Sequence, residues 1–227
     1  MSEILLAGVV GSTAYGLAHA GSDIDRLGVF AAPTIDLTGL DRPDESVVTT
    51  KPDCTLHEAA KATRLLMSCN PTVTELLWLP SHLYEVRTSL GEELIGIRQK
   101  LLSAPRVRNA YYGYAGGQLR RLADRSDDDV PQARRARVAK LARHMSRLLE
   151  QGRDLYKTGR LDVVLHDPER HTAFGEQVAD GRLDLAKKLL ADAGDAFASI
   201  RSPLPDQPCR EAAEQWLRRV RIAFWKV

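Results

Sequence analysis

The spacing of apolar residues changes along the chain. Ile4 to Val10 is a short continuous apolar run closed by Gly11-Ser12, the pattern of a strand buried on both faces. Ile24 to Ala32, set between Gly21-Ser22 and Pro33, predicts a second strand, and the β-branched run Ser46 to Thr50 a third. From about Cys54 to Ser68 the pattern turns helical: Leu56, Ala59, Ala60, Thr63 and Met67 recur at helical spacing until Asn70-Pro71 ends the run. A short helix is expected over 72–79, stopped by Pro80. Further helices are expected over 90–102, 106–123, 131–158, 172–193 and 209–223, with joints at 126–131 and 202–208. Strands come first and helices follow. The fold class is therefore α+β, a sheet with flanking helices over 1–100 and a helical domain over 101–227.

Composition changes this picture little. With 227 residues, 44 % hydrophobic and 27 % charged, the chain can bury a core without a metal or disulfide staple. Cys54, Cys69 and Cys209 are odd in number and lack metal-ligand spacing, which suits a reduced compartment. No apolar run approaches a membrane span and no secretory signal opens the chain, so a cytoplasmic protein with no membrane partner is expected. Charge adds more. The net charge is only +2, yet between Arg106 and Arg160 fourteen Lys and Arg face six Asp and Glu. That half favours a polyanionic partner, which could be as small as a nucleoside triphosphate.

The candidate chemistry lies in residues 11–25. Gly11-Ser12 after a buried strand lets the chain turn sharply and bring backbone N–H groups and the Ser12 hydroxyl towards an anion. Alone, such a pair is usually just a turn. Asp23 and Asp25, at i and i+2 of a strand, would project to one face while Ile24 packs the other way. Adjacent carboxylates repel unless a cation lies between them, and hard oxygen donors suit Mg2+ or Mn2+ better than zinc. Asp-x-Asp alone is often a solvated strand face; its place ten residues after Gly11-Ser12 shifts the expectation towards a phosphate and metal site.

The runs Gly11-Ser12-Thr13-Ala14-Tyr15-Gly16-Leu17 and Ser22-Asp23-Ile24-Asp25-Arg26-Leu27-Gly28-Val29 resemble the signature of DNA polymerase β-type nucleotidyltransferases. More narrowly, they resemble the nucleotidyltransferases associated with RNA repair operons (RlaP-like). Asp53, Lys61, Asn70-Pro71 with Glu75, and Pro80-Ser81 are similar to later stretches of that group, as is the Lys140, His144, Arg147 helix. The resemblance implies a nucleotidyltransferase mixed sheet before the helical domain. It also implies an enzyme that uses two Mg2+ or Mn2+ ions, held by Asp23, Asp25 and a third carboxylate, to move NMP from an NTP such as ATP to a hydroxyl. Asp53 is the first candidate for the third acid, although it could simply cap the following helix; Glu58 is the reserve. An RNA end, a protein side chain and a small molecule stay open as acceptors.

Lys140, His144 and Arg147, at i, i+4 and i+7, share one helix face and could clamp a triphosphate or nucleic-acid backbone together with Gly11 and Ser12. A solvated basic helix is the plain alternative. Tyr111, Tyr112 and Tyr114 read first as helix-interface residues and second as a base-stacking platform. Trp78, Trp216 and Trp225 read as core. A nucleotide-binding regulatory module that has lost turnover is the competing function, and a toxin–antitoxin component that nucleotidylates tRNA or protein ranks third.

Overall fold

The computed structural model describes residues 2–123 and 131–225, so the joint expected at 126–130 lies outside the described residues. Two compact units emerge, residues 1–103 with 205–227 and residues 104–204.

The first unit is built on a five-stranded mixed sheet. Its strands are β1 (Glu3–Val10), β2 (Asp25–Ala31), β3 (Ser46–Thr50), β4 (Asp53–Glu58) and β5 (Tyr84–Arg87), in the order β3-β4-β2-β1-β5. Only β2 and β4 run parallel; the other neighbours are antiparallel. β1 and β2 form the centre: Leu5, Leu6, Val29 and Ala31 are buried, as the continuous apolar runs imply. The helices are the five-residue α1 (Gly11–Tyr15), then α2 (Ala59–Met67), α3 (Pro71–Leu76) and α4 (Ser89–Gly96). Residues 98–101 make a short 3-10 turn rather than extending α4 to 102.

Two strands escape the sequence pattern. Residues 54–58, expected to begin a helix, form β4, and the helix starts only at Ala59. Leu56 fits both periods locally, and pairing with β2 on one side and β3 on the other decides for the strand. The four-residue β5 is too short to show a period, and it exists because β1 offers it an edge.

Residues 205–227 do not belong with the helical unit, contrary to the expected boundary at 101–227. Their helix, here α9 (Arg210–Ala223, numbered after four helices of the second unit), is held to the sheet unit by specific polar contacts. Trp216, fully buried, donates its indole N–H to the Leu90 carbonyl at 2.9 Å. Arg221 makes a bidentate pair with Glu58 at 2.6 and 2.9 Å. Thr34 donates its amide to the Phe224 carbonyl and its hydroxyl to that of Arg221. Trp225, expected in the core, is instead 56 % exposed just past the end of α9.

The second unit contains α5 (Ala104–Ala123), α6 (Pro131–Thr158), α7 (Pro168–Ala179) and α8 (Leu183–Ser199). The single helix expected over 172–193 is two, because Gly181 adopts φ +101° between them. Tyr111 is buried against Gly152, and Tyr112 meets Phe197 edge-on at 6.5 Å, so both fill helix interfaces; Tyr114 is 43 % exposed.

Glu58 is almost wholly buried, and removing its cation would leave a buried carboxylate short of compensation. Arg221→Ala is expected to destabilise the protein by about 3 kcal/mol in urea unfolding. Arg219→Ala, which breaks an exposed pair with Glu93, should cost under about 1 kcal/mol.

Candidate functional site

β1 and β2 converge on the candidate site at their common end. Val10, the last residue of β1, pairs with Asp25, the first of β2. The chain then turns at Gly11, whose φ of +70° is left-handed, into α1. A Cβ at Gly11 would lie 2.0 Å from Asp25 Oδ2, so glycine there answers both the backbone conformation and the approach of the carboxylate. Ser12 follows, half-buried, its hydroxyl without a hydrogen-bond partner among the described residues.

Asp53 joins Asp25 through the sheet. The parallel register pairs Arg26 with Cys54 and Leu27 with Thr55, so Asp25 and Asp53 occupy equivalent places at the starts of neighbouring strands. Asp53 is exposed and begins a strand, which removes the reading of it as a helix cap. The cap of α2 is Glu58, whose carboxylate accepts from the Ala60 N–H at 2.7 Å while binding Arg221. Glu58 stands five residues along β4 from Asp53, hence on the opposite face and about 16 Å further on. Its carboxylate is committed to those partners.

Asp23 lies differently from the expectation. β2 begins at Asp25 because β1 ends opposite it, so Ser22 to Ile24 have no strand partner and the i, i+2 alternation does not apply. Asp23 is exposed in that irregular segment, and Ile24, instead of packing away, is 49 % exposed. Among the described residues, no three His, Cys, Asp or Glu side chains converge closely enough to hold a metal ion. Asp25 and Asp53 are thus brought together by register, and Asp23 stands two residues before them. Their all-carboxylate donor chemistry fits Mg2+ or Mn2+.

A buried hydrogen bond, not suggested by residue spacing, anchors the turn. Tyr15 on α1 donates its hydroxyl to Glu75 Oε2 on α3 at 2.6 Å, and Glu75 is buried. A carboxylate in that setting needs a donor. The bond ties the Gly11-Ser12 turn to the body of the sheet unit.

Lys140, His144 and Arg147 all lie on α6 of the helical unit, along a gradient of burial. Lys140 is exposed, His144 half-buried and Arg147 buried, donating to Gln151 Oε1 at 2.6 Å. Burial, reinforced by Arg147, Lys140 and Arg121, pushes the His144 pKa down to about 3. The face therefore carries two cations and a neutral imidazole near neutral pH, rather than three cations. A second histidine, His171 on α7, is wholly buried beside Ser146 Oγ at 2.8 Å, and burial with Arg170 lowers its pKa to about 4.

The family model described as RlaP, RNA repair pathway DNA polymerase beta family, matches residues 1–185. The chain belongs to that family. RlaP membership supports the DNA polymerase β-type nucleotidyltransferase superfamily and an RNA-repair association for the chain. The match spans β1 to the start of α8, which leaves α9 and its Arg221 outside it. No curated protein matches the chain. Among the described residues, no helix is long and apolar enough to cross a membrane.

Gly11→Ala is expected to displace Asp25 and strain the turn, at a cost of about 1–2 kcal/mol seen as a lower urea midpoint. Acidification should also weaken the helical unit. Both histidines have folded pKa values below the unfolded value, so the unfolded chain binds more protons and stability falls as pH drops from 6.5 towards 4. Urea midpoints at pH 7, 5.5 and 4 should show His171→Gln losing less stability than wild type, the difference being about 2–3 kcal/mol by pH 4.

Proposed function

We propose that the chain is a Mg2+- or Mn2+-dependent nucleotidyltransferase that transfers NMP from an NTP, ATP included, to a hydroxyl acceptor. An RNA end is the acceptor that the family association favours. The observation that carries this reading is the parallel β2–β4 register, which sets Asp25 and Asp53 side by side next to the Gly11 turn. Asp23 would complete the metal-binding carboxylates. Two bound ions would neutralise the triphosphate and lower the pKa of the acceptor hydroxyl.

The protein's own groups would do the positioning. The backbone at Gly11 and the Ser12 hydroxyl would hold phosphate oxygens, with Tyr15 and Glu75 fixing the turn that presents them. On α6 of the helical unit, Lys140 would offer an exposed cation to a polyanion, with His144 as a neutral donor and Arg147 as a buried support.

The test is incubation with each labelled NTP, Mg2+ or Mn2+, and total RNA or lysate. Transfer is expected with wild type, and the double variant Asp23→Ala/Asp25→Ala should lose at least about a hundredfold, the scale of removing electrostatic stabilisation from a transition state. Equal labelling by both proteins rejects the proposal. NTP binding without transfer, unchanged by Asp53→Ala, would instead indicate a binding module.

A further inference from the structure

A second polar cluster lies further along β4. Lys61 on α2 donates from Nζ to Ser46 Oγ at 2.7 Å. Ser46 stands opposite His57 in the β3–β4 register, its Oγ 2.8 Å from His57 Nδ1. An ammonium only donates, so Ser46 accepts from Lys61, and among the described residues Nδ1 is the acceptor within reach of the Ser46 hydrogen. Nδ1 is then the acceptor nitrogen, and the ring proton sits on Nε2. Burial, helped by the Lys61 charge, lowers the His57 pKa and keeps this neutral form.

What remains is a set of donors. His57 Nε2–H and the other ammonium hydrogens of Lys61 have no partner among the described residues. The three side chains are half-buried. The neighbouring acids do not oppose an anion there: Glu45 is paired with Arg64, and Glu58 faces the other way onto Arg221. One fixed positive charge with a neutral ring N–H and no free acceptor suits an oxyanion such as a phosphate.

The cluster is connected to the candidate active site by an open strip. Strand alternation puts Asp53, Thr55 and His57 on one face of β4, and the register adds Thr50, Val48 and Ser46 from β3. Asp53, Thr50 and Val48 are exposed, Val48 by 65 %, and Thr55 is half-buried. From Asp53 to His57 the strip covers about 13 Å. That reach corresponds to several phosphates of one stacked strand at about 3.4 Å each.

We propose that Lys61 and the Nε2–H of His57 form a phosphate subsite for the backbone of a single-stranded RNA acceptor laid along this strip. The position of the reacting hydroxyl near Asp53 rests on the nucleotidyl-transfer reading; the subsite does not.

The test is fluorescence anisotropy of a short labelled single-stranded RNA over a range of KCl, without NTP. Lys61→Ala is expected to weaken binding about tenfold and to lower the salt slope by about one, while Lys61→Arg keeps most of the affinity. A fluorescent ATP analogue with Mg2+ should bind Lys61→Ala as it binds wild type. Absence of RNA binding by wild type, or equal slopes for wild type and Lys61→Ala, overturns the proposal. So does a parallel loss of ATP-analogue affinity, which would give the cluster to the triphosphate. If circular dichroism shows Lys61→Ala unfolded, Lys61→Gln, which retains the stem and a donor to Ser46, reads the same slope. Lost transfer with a Lys61-dependent salt slope sinks the nucleotidyl-transfer reading alone, and transfer with equal slopes sinks the subsite alone.

Discussion

The parallel pairing of β2 with β4 is the constraint on which the rest of the sheet unit depends. A parallel neighbour cannot follow through a tight hairpin, so the chain must leave β2, cross the sheet end through residues 32–45, form β3 and return. The return places β4 beside β2 with both strands starting at the same edge. Asp53 is thereby set next to Asp25, though 28 positions separate them in sequence. The same pairing sends the far end of β4 into α2, so one strand carries a candidate metal ligand at its start and the α2 cap at its end.

The two ends of β4 use carboxylates in opposite ways. At the start, Asp53 is exposed, where an ion could meet it. At the end, Glu58 is buried and fully committed to Arg221 and the Ala60 N–H. Burying a carboxylate is tolerated only with such compensation, so Glu58 is structural. Its cation comes from α9, beyond the residues matched by the family model, and it draws the last helix back to the sheet unit.

Charge in the helical unit shows how burial revises a sequence motif. Lys140, His144 and Arg147 share a helix face by spacing alone. Burial grades that face from an exposed ammonium to an enclosed guanidinium, and it leaves the imidazole between them neutral. Exposure, not residue type, determines which member can meet a polyanion, and that member is Lys140. Lys61 carries its charge differently: its bond to Ser46 holds the ammonium beside the His57 ring.

Local pattern by itself determined much of this protein. The apolar runs mark β1 and β2, the β-branched run marks β3, and long apolar periodicity marks α5, α6 and α9, because each of these elements buries a stripe visible within its own residues. The Gly11-Ser12 turn with Asp23 and Asp25, and the kinship it indicates, were likewise legible there. Tertiary structure decided whatever needed a distant partner. It made 53–58 a strand rather than the start of a helix, began β2 at Asp25 and left Asp23 outside it, and returned α9 to the sheet unit. It also joined Tyr15 to Glu75 and Ser46 to His57 and Lys61. Those outcomes depend on hydrogen bonds and burial between segments far apart in the chain, and the spacing of residues within one segment carries no trace of them.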